Sequence, residues 1–367
     1  MRSGIDSTAR TSSSPRIVTT AAAYNPALPH RNMFTIRTID AHTAGEPLRL
    51  IVDGFPSVEG RTMLEKREWV RAHHDHLRRA LMLEPRGHAD MYGALLTEPE
   101  REGSDAGVLF MHNEGFSTMC GHGVIAVVTI AIERRLIGPR RSDALVLDTP
   151  AGQVTAAARQ SVDNDRTRVT SVSFRNVPSF VLHAGVPARL DNRTLQADVA
   201  FGGAFYAIVD SEAAGIPISG DRLADLRRAG MAIKQAVEAA VRVEHPEQPE
   251  LRGLYGTIFT GPAESPQADL RNVTIFADAE VDRSPCGTGT CAIMAVLSAM
   301  GILPAGQTFT NESIIGTHFR GRVASELTLG DLSAIEPEIE GDAYITGEST
   351  FLIDDADPLA YGFRLGS

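Results

Sequence analysis

The chain reads as a mixed α/β protein, α+β in arrangement, built of two equivalent halves that each wrap strands around one central helix. Three observations predict this. Cys-Gly-x-Gly occurs twice, as Cys120-Gly121-His122-Gly123 and Cys286-Gly287-Thr288-Gly289. Each copy heads an apolar run, 124–128 and 290–296, and Ala126 and Ala292 fall at the same offset from their cysteines. A helix this apolar on every side is a buried one. Finally, 367 residues exceed one ordinary core at roughly 150 residues per domain.

The elements follow in order. Residues 1–32 are rich in Ser, Thr, Ala and Arg, without periodicity or an apolar signal-type stretch. Such composition can mimic a transit peptide, but a disordered tail, with Met33 as the true beginning, is the preferred reading. Alternating apolar positions predict strands over 34–40 and 48–52, the second stopped by Asp53-Gly54. Met63, Leu64, Trp69, Val70, Leu77 and Leu81 recur at helical spacing and predict a helix over 62–82. Strands over 91–96 and 107–112 precede the first motif helix, which runs to about 136. Short β-rich pieces follow at 144–147, 153–157, 169–174 and 199–209. A helix over 221–243, strands at 254–259 and 273–276, the second motif helix over 287–300 and a strand-rich tail complete the chain. Pro178 marks the crossing between halves. The expected division is 33–178 plus 346–367 for the domain carrying Cys120, and 179–345 for the domain carrying Cys286.

Composition narrows the function classes. A net charge of −11 argues against a nucleic-acid or anionic-membrane partner. No apolar run approaches a membrane span in length. Three cysteines are an odd number, ill-suited to a secreted disulfide framework, and reduced thiols in the cytoplasm fit better.

A lone free cysteine is usually a small inert core residue. That reading weakens at Cys120 and Cys286, because Gly-x-Gly packs poorly in a core but exposes backbone N–H groups. A helix N-terminus attracts an anion through its backbone N–H groups, and a thiol beside it is expected to have a lowered pKa. Two such thiols with a carboxylate held between them suit removal of a proton from one face of a carbon and its return to the other. Cys291 aligns with Ile125 and reads as core. A Cys286–Cys291 pair has neither zinc nor CxxC redox spacing.

Asp282 lies four residues before Cys286, and His122 two after Cys120. Together they could hold a substrate ammonium, Asp282 by charge and His122 by a hydrogen bond. Alone, Asp282 could pair with Arg283, and His122 could cap its own helix. Their placement beside the motif cysteines favours function. Other routes are missing. Lys66 and Lys234 are the only lysines, and neither has a Schiff-base setting; there is no Walker A motif and no dinucleotide fingerprint. His73, His74, Asp75 and His76 read as a solvated helix face rather than metal ligands. No metal and no cofactor are expected.

Several stretches carry a family resemblance. They are His42-Thr43-Ala44-Gly45-Glu46-Pro47, Glu84-Pro85-Arg86-Gly87-His88, Met119-Cys120-Gly121-His122-Gly123, the run from Asp282 to Thr290, and Asp357-Pro358-Leu359. On these the chain, from about residue 34 to its end, resembles the proline racemase family, which includes hydroxyproline 2-epimerases and trans-3-hydroxy-L-proline dehydratases. The resemblance implies a diaminopimelate-epimerase-like fold with a final segment returning to the first domain, and a site in the cleft between domains. It implies cofactor-independent chemistry, with Cys120 and Cys286 as acid/base thiols. Gly121, His122, Gly287 and Thr288 would line the carboxylate and nitrogen site, and Asp282 with His122 would bind the ring nitrogen. It also implies a homodimer.

One departure matters. Gly87 to Ala94 and His112 to Phe116 look most like the dehydratase branch, which typically carries Thr at the second catalytic position, whereas this chain has Cys286. The expected activity is therefore 2-epimerisation of an imino acid, trans-3-hydroxy-L-proline above all, with accompanying dehydration. Alternatives are a proline racemase or 4-hydroxyproline 2-epimerase, a non-catalytic imino-acid binding protein, and a thiol redox sensor. Tyr92 and Phe276 are candidates for reading the ring substituents.

Overall fold

The computed structural model describes residues 33–138, 144–163 and 166–365. The tail expected over 1–32, and the end of the expected first domain at 366–367, lie outside the described residues. The first half holds β1 (Met33–Thr43), β2 (Glu46–Asp53), α1 (Met63–Met82), β3 (Tyr92–Thr97), β4 (Ala106–His112), β5 (Phe116–Ser117), α2 (Gly121–Glu133), β6 (Ala144–Thr149), β7 (Gly152–Asp163) and β8 (Arg166–Arg175). There follow β9 (Ser179–Leu190), β10 (Arg193–Phe201), β11 (Phe205–Asp210), the single turn α3 (Ser211–Ala214), α4 (Leu223–Ala240), β12 (Leu254–Gly261), β13 (Leu270–Phe276) and β14 (Glu280–Asp282). The chain closes with α5 (Gly287–Ala299), β15 (Thr308–Glu312), β16 (His318–Leu329), β17 (Leu332–Gly341) and β18 (Ala343–Asp354).

The pairing of the strands repeats. In the first half β2–β3 is parallel, β3–β4 antiparallel, β4–β6 parallel, and β6–β7 and β7–β8 antiparallel. In the second, β11–β12 is parallel, β12–β13 antiparallel, β13–β15 parallel, and β15–β16 and β16–β17 antiparallel. The motif helices fall at the same point of this pattern, α2 between β5 and β6 and α5 between β14 and β15. β18 pairs with β1 as β9 pairs with β10, so the last strand completes the sheet of the first half. The equivalence read from two short motifs thus extends through the connectivity of the chain.

Differences from the sequence reading have local causes. The strand expected over 199–209 is a hairpin of β10 and β11, because Gly203 takes a φ of 107° that breaks it. At the same turn, a Cβ on Gly202 would fall 2.1 Å from the Thr288 carbonyl oxygen, so only glycine lets this turn approach α5. The helix expected to run to about 136 stops at Glu133, where Arg135 turns left-handed at φ 55°. By contrast α1 begins where expected, with Thr62 and Glu65 forming a reciprocal capping box. The histidine-rich turn of α1 is half solvated: His73 is exposed, His74 and His76 are half-buried, and Asp75 pairs with Arg78 at 2.6 Å. Among the described residues no group of three or more His, Cys, Asp or Glu is placed to hold a metal ion. None of the described helices is long and apolar enough to cross a membrane.

Helices α2 and α5 are buried over Gly121–Ala131 and Gly287–Val296, as their all-round apolarity requires. Cys291 is fully buried on α5, in line with its reading as core.

Candidate active site

Each motif cysteine caps its own helix. Cys120 precedes α2 and its sulfur accepts from the Gly123 N–H at 3.2 Å; Cys286 precedes α5 and accepts from the Gly289 N–H at 3.3 Å. The sequence produces this by putting a side-chain acceptor three residues before an otherwise unpaired N–H. It is therefore Cys120, not His122, that caps α2. Cys286 adopts φ 59° and ψ 106°, which costs a residue with a side chain about 1–3 kcal/mol.

The two helix starts touch. A Cβ built on Gly121 would lie 2.5 Å from the Gly287 Cα, and one on Gly287 would lie 2.5 Å from the Gly121 Cα. Only glycine at both positions allows this backbone contact. A narrow cavity of about 10 Å³, room for roughly one water, lies beside it. All seven residues singled out from the sequence line it: Cys120, Gly121, His122, Asp282, Cys286, Gly287 and Thr288. Tyr92 and Phe276 line it too. Met119, Tyr206 and Tyr255 complete the wall, and sequence reasoning misses them. Met119 stands in the first motif beside Cys120, whereas the tyrosines sit in β11 and β12 with nothing in the sequence to point them at the site until the strands are aligned.

The polar contacts differ between the thiols. His122 Nδ1 lies 3.1 Å from the Cys120 sulfur. At Cys286 the neighbours are hydroxyls: Tyr206 at 3.8 Å and Thr288 at 3.7 Å, themselves 2.6 Å apart. Asp282 does not pair with Arg283. Its carboxylate accepts from the Ser284 N–H at 2.8 Å and hydroxyl at 2.7 Å, and the Ser284 oxygen accepts from the Cys286 N–H at 3.1 Å. Arg283 turns away to Glu46 at 2.9 Å.

The expectation of acidic thiols is overturned. Burial pushes Cys120 well above its ordinary value, with the Gly123 N–H pulling only partly back. Burial, followed by the Asp282 charge, pushes Cys286 up to about 12. A helix N-terminus and one N–H do not outweigh desolvation of a thiolate beside a carboxylate. His122 is lowered to about 4, by burial first and against the pull of Asp282, so its imidazole is neutral near pH 7, with one N–H donor and one acceptor nitrogen. With both thiols protonated, the cavity is short of positive charge.

The two-half α+β fold is shared with solved structures. A hydroxyproline epimerase from Agrobacterium vitis with bound trans-4-OH-L-proline superposes with a TM-score of 0.83 at 31% identity, covering 90% of this chain and 95% of that one. A phenazine biosynthesis protein of the PhzF family from Bacillus anthracis, 12% identical, shares the fold alone, with a TM-score of 0.54 and coverage of 87% and 99%. The proline racemase family model matches residues 38–364, and the chain belongs to that family. Similar relatives include a trans-3-hydroxy-L-proline dehydratase from Bacillus cereus, 47% identical over 90% of this chain and 98% of its own. A 3-hydroxyproline 2-epimerase from Burkholderia multivorans is 44% identical with the same coverages.

Proposed function

We propose that this chain is a cofactor-independent enzyme that removes the Cα proton of a proline-type imino acid with Cys120 and Cys286 as a paired acid and base. The observation that carries the reading is the meeting of two cysteine-capped helix N-termini at one small cavity. The backbone N–H groups of Gly121, His122, Gly287 and Thr288 would receive the substrate carboxylate. Asp282 and His122 would take the ring nitrogen, whose positive charge supplies what the cavity lacks. A thiolate beside that cation becomes attainable, and the two thiols titrate as one coupled unit. One thiolate takes the C2 proton; the thiol opposite returns a proton to the other face and inverts C2.

With a 3-hydroxyl the same electron pair has a second fate. The C2–H bond breaks, C2=C3 forms, the C3–O bond breaks, and hydroxide leaves with a proton as water. The enamine then tautomerises to the cyclic imine. The two similar relatives, at 47% and 44% identity, bear the names of these two reactions, so overall likeness does not choose between them. Residue 286 does: a threonine hydroxyl is too weak an acid/base to reprotonate C2, whereas Cys286 suits it. We therefore favour 2-epimerisation of trans-3-hydroxy-L-proline with accompanying dehydration, ahead of proline or 4-hydroxyproline as main substrate.

On the same reading the chain divides at Pro178, with 33–178 plus 346–367 as one domain and 179–345 as the other, and works as a homodimer in the cytoplasm. The pairing of β18 with β1 supports the first point, and three unpaired cysteines suit a reducing compartment. Sedimentation would test the dimer.

Proton NMR in D2O tests the chemistry, with trans-3-hydroxy-L-proline, L-proline and trans-4-hydroxy-L-proline side by side and Cys286→Thr as control. Deuterium at C2 with the inverted isomer, lost in the control, is expected. Cyclic imine from the 3-hydroxy substrate should survive in Cys286→Thr, which retains Cys120. No exchange on any of the three would sink the enzyme reading and favour a binding protein.

A further inference from the structure

Asp282 ends a strand of only three residues, β14, which pairs on one side with β13. Its flanking peptides are held from the other half of the molecule. The Val281 N–H donates to Asp90 Oδ1 at 3.2 Å, and the Arg283 N–H donates to Glu46 Oε2 at 2.8 Å. Two carboxylates, 191 and 237 residues away in sequence, thus grip the residues immediately before and after Asp282. Side chains reinforce the grip. Arg283 donates through Nε to Glu46 at 2.9 Å and through a terminal nitrogen to the Asp90 carbonyl at 2.7 Å, while Arg227 donates to Asp90 Oδ2 at 2.5 Å.

Neither carboxylate sits there cheaply. Glu46 is fully buried, and burial pushes its pKa well above the usual range. Asp90 is buried and holds φ 59°, a left-handed backbone. Both belong to stretches the mechanism leaves unused, Glu46 to the hairpin after His42 and Asp90 to the loop entering β3. Buried, strained polar groups persist where the structure gains something by them.

We propose that Asp90 and Glu46 form a clasp that fixes Asp282 at the cavity, making them positioning residues for recognition of the substrate nitrogen. This rests on the reading of Asp282 as the nitrogen-binding group. A carboxylate whose neighbouring peptides are tied on both sides cannot swing away, and an ion pair weakens quickly once its geometry slips. The clasp also joins the two halves, so the bonds that position Asp282 are bonds between the halves.

The test compares two ligands of the same shape by calorimetry, L-proline and tetrahydrofuran-2-carboxylate, in which oxygen replaces the ring N–H. Asp90→Gly removes both acceptors and tolerates the left-handed backbone; Glu46→Ala removes the acceptor on the other side of the clasp should the first variant fold poorly. Each variant is expected to weaken L-proline roughly tenfold to a hundredfold, the range for losing hydrogen bonds to a charged acceptor. The oxygen analogue should shift less than twofold. Asp90→Asn, which keeps an acceptor for the Val281 N–H, should recover part of the loss. In an Asp282→Asn background Asp90→Gly should cost L-proline nothing further. Equal weakening of both ligands would overturn the clasp in favour of a purely structural contact, and so would no weakening. If the unaltered protein turns over no imino acid, the catalytic reading itself fails.

Discussion

Replacing Gly121 by alanine probes the geometry on which the site depends. The added methyl would meet the Gly287 Cα at 2.5 Å, the Gly287 carbonyl carbon at 3.0 Å and the Phe174 ring at 3.2 Å. Two of the three are backbone atoms, so no flexible side chain can yield. Restoring an ordinary contact of 3.4 Å or more moves the two helix N-termini apart by about 1 Å. Both thiols and the N–H groups proposed to receive the carboxylate ride on those termini. A misplacement of that size costs roughly a hundredfold in rate, while overpacking costs about 1–3 kcal/mol of stability. The assay is deuterium wash-in at C2 of trans-3-hydroxy-L-proline at saturating substrate, paired with urea unfolding. Gly347→Ala, where a Cβ meets nothing within 4 Å, is the control and should keep the native rate. Wash-in by Gly121→Ala within threefold of the native rate would refute the claim that the contact between helices sets the thiol geometry.

The remaining predictions concern pH and the third cysteine. His122 is depressed to about 4, so between about pH 6.5 and 4 the unfolded chain binds its proton and the folded one does not. Stability should fall with pH across that window by up to roughly 3 kcal/mol, and His122→Asn should flatten the slope in urea titrations. Cys286 runs the other way. Its folded pKa of about 12 lies above the ordinary 9.0, so the unfolded chain releases the proton first and stability falls as pH rises above about 9. Cys286→Ala should lower that alkaline slope; an unchanged slope would mean that burial does not hold the thiol protonated. Cys291→Ala should keep C2 exchange, since Cys291 is buried in α5 outside the wall of the cavity; loss of exchange in a folded variant would show that the third thiol takes part.

By itself, the sequence determined the parts of the site that local chemistry encodes. A cysteine followed by Gly-x-Gly and an all-round apolar run can form little other than a thiol-capped buried helix, and two copies of it define two halves. Once the copies are seen, Asp282 and His122 are legible through their nearness in the chain. Three things only the tertiary structure decided. Tyr206 and Tyr255 reach the cavity from β11 and β12, whose alignment depends on pairings between distant residues. Glu46 and Asp90 stand in recognisable stretches, yet their grip on either side of Asp282 exists only where the two halves meet. The protonation of the thiols reversed the expectation for the same reason. A helix N-terminus is a local property visible in sequence, whereas desolvation sums over everything packed around a group, and at Cys120 and Cys286 burial outweighs the helix.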